Sequence, residues 1–311
     1  MATSPKQTAA TLSHDTRSES VTLCVPVLMR VQKLRRLLES LPPAVDEVIV
    51  ADNGHTNQRQ SVTNPEQYDA DITVRALPHD CGIGRCRQQA AAAASNDYLL
   101  VADNDMILPD SIQPLLDILR ADPDLGAVSG TLHEDGHLRA GVCNFREESI
   151  WGRDLLVQTH DEDTTVETVG GHPLARHDKL PNAMVVRRAC VEDYSWDGQL
   201  KDKEHLDWFL GHYHETDWEM GVCPSVVFRH EHGENEQYQQ QYRHGNTERQ
   251  QQYHDMVCEK YGYDDIVWGD TRWFGTERRP LVERLYNAVE GELPTSLSYP
   301  AKQAAKAVIG R

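Results

Sequence analysis

Lysine is scarce in this chain. Only 8 of its 31 basic residues are lysine, and they face 49 aspartates and glutamates, for a net charge of −18 over 311 residues. Contacts to nucleic-acid phosphates need clustered lysine and arginine, so this balance excludes nucleic acid as a partner. Long apolar runs are missing as well: no uninterrupted stretch approaches the roughly 20 residues that cross a bilayer. The opening residues, MATSPKQTAATLSHDTRSES, lack an apolar core. Residues 1–19 are therefore expected to form a disordered tail rather than a signal peptide or a span. The seven cysteines (Cys24, Cys81, Cys86, Cys143, Cys190, Cys223, Cys258) contain no C-x-x-C pair, which argues against a zinc ribbon. Their odd number fits reduced thiols better than a disulfide framework.

What is present alternates. Apolar strands are expected at 21–27, 47–54, 71–77 and 98–101, with helical spacing between them in 31–41, from about Arg85 through Ala94, and over 111–119. Such short apolar strands separated by helices predict an α/β fold with a doubly wound, mainly parallel sheet. Beyond residue 120 the pattern loosens. Strands are expected at 126–132, 140–145, 183–188 and 222–230, a helix at 200–211, and a helical, Gln- and Tyr-rich segment within 233–262. The acidic 150–180 stretch, which holds His and Gly, reads as a long functional loop and a candidate lid. Trp151, Trp196 and Trp208 are candidates either for stacking on a bound ligand or for the core.

The most informative motif is Asp103-Asn104-Asp105 after the strand Tyr98 to Val101. Alternate residues of an extended segment point the same way, so Asp103 and Asp105 can converge on one divalent cation. Open α/β sheets bind ligands at the ends of their strands, which favours a functional reading over a solvated acidic turn. Asp52 ends the second strand at the same edge, as a hydrogen-bond acceptor for a base or ribose or as a cap next to Gly54. Gly82 and Gly84 supply two glycines of a dinucleotide fingerprint, but Arg87 fills the third position and the turn follows the third strand. A Rossmann dehydrogenase is thus disfavoured, while Arg85 and Arg87 at a helix start can meet phosphate. In E204-HLDWF, Glu204 and Asp207 share a helix face within an apolar segment, where carboxylates need a reason.

Taken in order, V21-TLCVPV, V48-IVADNG, C81-GIGRCRQQA, V101-ADND, K203-EHLDWFL and C223-PSVVFRH resemble the motifs of family 2 glycosyltransferases and their relatives with the GT-A fold. The resemblance spans Val21 to about His232. It implies a GT-A-type sheet flanked by helices and an inverting transfer of sugar from a nucleoside-diphosphate sugar to an acceptor hydroxyl. Carried over residue by residue, it places Pro26, Asp52, Gly82, Arg87, Asp103 and Asn104 on the nucleotide sugar. Asp103, Asp105 and a histidine after the last strand, His230 ahead of His232, are implied ligands of Mn2+ or Mg2+. The base is left among Asp207, Glu204 and His205, with Asp207 first because a carboxylate is the family's usual base.

The resemblance further implies a nucleotide-sugar-binding half (20–120) and an acceptor-binding half (121–262), and the apolar spacing of Leu281, Val282, Leu285, Tyr286 and Val289 adds a C-terminal amphipathic helical extension (263–311). Within the extension, 279–311 either docks peripherally on the cytoplasmic face of the cell membrane or closes the core. The expected location is the cytoplasm, and the expected acceptor is a glycan or lipid-linked glycan used in cell-surface or glycoprotein assembly. The acidic, lysine-poor composition resembles that of salt-adapted archaeal proteins. At about 1 M salt the screening length is roughly 3 Å, so an anionic protein then repels its anionic substrate little. Two other classes stay open: a non-catalytic carbohydrate- or nucleotide-binding protein on the same fold, and a sugar-phosphate nucleotidyltransferase. The latter lacks its Gly-rich loop at P26-VLMRVQKL.

Overall fold

The computed structural model describes residues 20–54, 61–160, 164–231, 240, 242 and 247–268. The elements run β1 (Val21–Val27), α1 (Val31–Leu38), β2 (Val45–Asp52), β3 (Asp71–Ala76), α2 (Ile83–Ala93), β4 (Tyr98–Ala102), β5 (Met106–Ile107) and α3 (Gln113–Ala121). They continue with β6 (Leu125–Glu134), β7 (His137–Arg139), β8 (Asn144–Ile150), β9 (Arg153–Thr159), β10 (Val166–Val169), β11 (His172–Arg176), β12 (Ala183–Arg187) and α4 (Arg188–Asp193). Last come α5 (Glu204–Glu215), β13 (Glu219–His230), α6 (Thr247–Tyr261) and β14 (Asp265–Trp268).

One mixed sheet holds the order β10-β11-β13-β6-β12-β4-β1-β2-β3, with β5 on β13 and β7 on β6. Strands β4, β1, β2 and β3 are mutually parallel, as are β6 and β13, while β12 runs antiparallel between β4 and β6. This is the expected α/β architecture. Its cause shows in β1 and β4, where alternate residues enter opposite cores. Val21, Leu23, Val25 and Leu100 join Leu34, Leu37, Leu115 and Leu119 of α1 and α3 on one face. Cys24, Leu99 and Val101 join Ala90 of α2 and Trp208 and Phe209 of α5 on the other. The small Ala90, Ala91 and Ala94 let α2 lie close to the sheet.

Several expectations are corrected. Much of the 150–180 stretch is strand rather than loop: β9 pairs with β8 and β14 in a separate three-stranded sheet, and β10 and β11 form a hairpin at the edge of the main one. Gly170 and Gly171, at φ 58° and 84°, supply the left-handed turn that this hairpin needs. Residues 140–143 lie outside the strands, so the expected 140–145 strand begins only at β8. Residues 265–268 of the expected helical extension form β14. Trp196 and Trp208 stack in the core with ring centroids 5.0 Å apart, whereas Trp151 is 82% exposed. The tail 1–19, His232 and the stretch 279–311 lie outside the described residues. Among the described residues, no helix is long and apolar enough to cross a membrane.

Candidate active site

The parallel register brings the C-terminal ends of β1, β2 and β4 to one edge, and the acidic triplet follows β4 there. A cavity at this edge is lined by Pro26, Arg30, Gly82, Asp103, Asn104 and Lys201, among others. Gly82 has no room for a side chain. It sits at φ 99°, and a Cβ there would fall 2.7 Å from Lys201 Cα. The glycine thus lets the loop before α5 press against the start of α2.

Arg87 organises the acidic residues. Fully buried on α2, it donates from Nη2 to Asp103 Oδ1 and from Nη1 to Glu204 Oε1, both at 2.8 Å. A planar guanidinium suits such a fork, and it ties the end of β4 to the first turn of α5. Asn182, just before β12, donates to the other Asp103 oxygen at 3.4 Å. Both Asp103 oxygens are therefore already engaged.

Asp105 lies in a second cluster. Its Oδ2 accepts from Arg30 Nη1 and sits 3.4 Å from His230 Nε2, while His230 Nδ1 lies 2.6 Å from Glu134 Oε1. Burial alone would raise the Asp105 pKa, but His230, Arg30 and Lys33 more than offset it and hold the carboxyl well below its usual range. Asn104 is a brace: Arg30 Nη2 donates to its oxygen at 2.8 Å, and its own amide donates to Met29 O at 2.9 Å.

Of the three expected metal ligands, the structure joins Asp105 and His230 and leaves Asp103 on Arg87 and Asn182. Among the described residues, no group of three or more His, Cys, Asp or Glu is arranged to hold a metal. The pair nevertheless fits a divalent ion completed by substrate oxygens and water. One carboxylate and one imidazole face each other, and Glu134 stands behind the histidine, an arrangement that fixes the tautomer of a ligating imidazole.

The three candidate bases separate. Asp207 is fully buried and turned to α6, where Lys260 Nζ donates to its Oδ1 at 2.7 Å and Tyr261 Oη at 3.1 Å. Burial pushes its pKa up despite Lys260. Glu204 is held by Arg87. His205 is part-buried, packs edge-on against Phe209 with centroids 5.1 Å apart, and keeps an Nδ1 with no hydrogen bond. Burial, then Lys179 and Arg87, push its pKa well down, so its imidazole is neutral at neutral pH. Asp52 Oδ1 accepts from Gly54 N at 2.8 Å, a turn contact at the end of β2.

The comparisons follow from this geometry. Residues 22–164 match the family described as Glycosyl transferase family 2. The matched segment, a little under half of the chain, runs from β1 through the end of β9 and includes the acidic triplet. No curated protein sequence matches the chain. Among solved structures, GalNAc-T7 with UDP, GalNAc and Mn2+ superposes with a TM-score of 0.55 at 13% identity, over 79% of this chain and 48% of that one. The chain thus spans about half of that relative's length, and at this identity the likeness is one of fold. TarS 1–349 of S. aureus gives a TM-score of 0.49 at 12% identity, over 88% and 78% of the two chains. Glucosyl-3-phosphoglycerate synthase of Mycobacterium tuberculosis, in complex with phosphoglyceric acid, gives 0.49 at 14%, over 79% and 81%.

Several residues of the candidate site were not singled out in the sequence. Arg30 follows β1, Lys201 precedes α5, and Arg249 lies on α6. Lys201 and Arg249 meet on Asp80, which accepts from Arg249 at 3.0 and 3.1 Å and from Lys201 at 3.3 Å. Their signal was available in part. Three cations near acidic motifs stand out in a chain of net charge −18, but no periodicity joins them.

Proposed function

We propose that the protein is an inverting glycosyltransferase that moves a sugar from a nucleoside-diphosphate sugar to the hydroxyl of a glycan acceptor. The observation that carries this reading is the Arg87 fork, which ties the strand-end Asp103 to Glu204 at the head of α5 inside one cavity edge. Arg30, Lys201 and Arg249 give that cavity the cationic wall a diphosphate needs. Asp105 and His230 would hold Mn2+ or Mg2+, which when bound offsets charge developing on the leaving diphosphate.

His205 serves as the base on this reading. Among the described residues its neutral imidazole is in no ion pair, its Nδ1 is buried without a hydrogen bond and a backbone hydrogen bond at Leu180 orients the ring. By contrast, Lys260 holds Asp207 and Arg87 holds Glu204. It takes the proton of the acceptor hydroxyl as that oxygen attacks the anomeric carbon from the side opposite the diphosphate. The acidic, lysine-poor composition suits an enzyme working in concentrated salt, where screening removes long-range repulsion of the donor.

Calorimetry with UDP and other nucleoside diphosphates, with and without Mn2+, followed by transfer assays from the matching nucleotide sugars, tests the proposal. Metal-dependent binding and release of nucleoside diphosphate only when an acceptor is present are expected. Binding without any turnover across donors and acceptors would instead favour the non-catalytic reading.

A further inference from the structure

Arg30 occupies an unusual place. It follows β1 in the left-handed region, at φ 66° and ψ 48°, and caps α1 without a side-chain cap bond. A non-glycine residue rarely adopts that backbone. Here the conformation goes with a side chain turned into the cavity edge, where its fork closes on two residues of the acidic triplet: Asp105 Oδ2 through Nη1 and Asn104 Oδ1 through Nη2. Asn104 in turn holds the Met29 carbonyl, so backbone and side chain fix each other. Only 12% of the Arg30 side chain and 8% of the Asp105 side chain are exposed.

The oxygen that Arg30 holds is the one that faces His230 Nε2. A divalent ion shared by Asp105 and His230 would therefore meet a guanidinium on its own carboxylate oxygen. Two cations on one buried carboxylate repel strongly at low dielectric. The same arginine also lines the cavity with Lys201 and Arg249, whose charges are shared with Asp80. A diphosphate arriving there offers Arg30 a second planar, bidentate partner.

We propose that Arg30 is a resident counter-ion of Asp105 that transfers to the donor's diphosphate, so that the divalent ion and the nucleotide enter together rather than the ion first. The inference rests on the donor reading above for the nucleotide but not for the competition at Asp105. It makes Arg30 a positioning residue. By linkage, the nucleotide tightens the ion as much as the ion tightens the nucleotide.

Calorimetry and the electron paramagnetic resonance signal of free Mn2+ test it. In the unaltered protein, Mn2+ alone should bind weakly, and saturating UDP or inorganic pyrophosphate should tighten it by about tenfold or more. Arg30→Asn, chosen because asparagine tolerates the left-handed backbone, and Arg30→Gln, which keeps length without charge, should each bind Mn2+ alone about tenfold more tightly. Both should bind UDP in the presence of Mn2+ more weakly. Adding Asp105→Asn to either variant should abolish the gain.

Mn2+ binding that is unchanged or weaker in both folded variants would overturn the proposal. So would an unaltered protein that binds pyrophosphate yet binds Mn2+ equally well with and without it, a result that needs no variant to fold. If UDP and pyrophosphate both fail to bind while the variants still gain Mn2+, the competition stands and the donor reading falls.

Discussion

Glu204 and Asp207 start the same helix three residues apart, yet they belong to two different regions. Glu204 is held by Arg87 against the end of β4, in a cluster that opens onto the cavity. Asp207 is held by Lys260 and Tyr261 against α6, with no exposed surface. Burial works against the Lys260 ammonium, but Asp207 and Tyr194 more than offset it and keep its pKa above the usual lysine range. The first region arranges charge around a place where a substrate can enter. The second uses the same chemistry to fasten a helix. Equal acidity on one helix face therefore says little about role, and the partner decides.

Removing Arg87 is the harshest way to break the comparison. Arg87→Met leaves Glu204 and Asp103 facing each other without their cation, and breaking such a buried pair costs about 3–5 kcal/mol. Denaturant unfolding should show that loss, together with loss of nucleotide binding in calorimetry. A variant that stays as stable as the parent would mean that the fork is not what joins β4 to α5.

A second experiment separates the regions by chemistry. His205→Gln should lower transfer by about a hundredfold, the usual scale of general-base catalysis, while melting temperature and donor affinity stay near those of the parent. Asp207→Asn should do the reverse, keeping transfer within a few-fold and lowering stability by about 1 kcal/mol. An inactive, well-folded Asp207→Asn beside an active His205→Gln would return the base to Asp207.

Lys260→Met sharpens the structural half of the contrast. It strands the buried Asp207 carboxylate, but a third of the Lys260 side chain is exposed and already screened by solvent. The expected cost is therefore about 1–2 kcal/mol, below that of a fully buried pair. Kinetics of the folded fraction should be unaltered. A change in KM for the acceptor, with stability intact, would place Lys260 in the site instead.

The parallel half was legible because β1, β2 and β4 are largely buried on both faces and alternate with helices. That pattern gave β1, β2, β4 and their helices, and the strand-end position of the acidic triplet. The edges were not legible in the same way. The acidic composition of 150–180 masked β9, with its buried Leu155, Leu156 and Val157, and a Gly-Gly hairpin turn was read as loop character. In the site, helical spacing put Glu204 and Asp207 near each other on α5, but spacing does not choose partners. Arg87 stands 117 positions from Glu204, and Lys260 stands 53 from Asp207. Such pairings come from the packing of α2, α5 and α6, which no local pattern encodes.

The last test concerns the second fastening of α6. His254 Nε2 lies 2.9 Å from Asp265 Oδ1 on β14 and 3.5 Å from Cys258 Sγ. The Asp265 hydrogen bond, then Cys258, raise the imidazole pKa from 6.5 to about 9 against the opposing effect of burial. A histidine raised in the folded state contributes its full stability below the unfolded value of 6.5 and loses it as pH rises through about 9. Between those limits the protein should lose on the order of 1–3 kcal/mol from this group. His254→Gln should flatten that part of the profile and leave nucleotide binding at neutral pH unchanged, since neither His254 nor Asp265 lines the cavity. If the parent and His254→Gln lose stability in parallel over this range, the pH dependence arises elsewhere and the Asp265 contact is not what fastens α6 to β14.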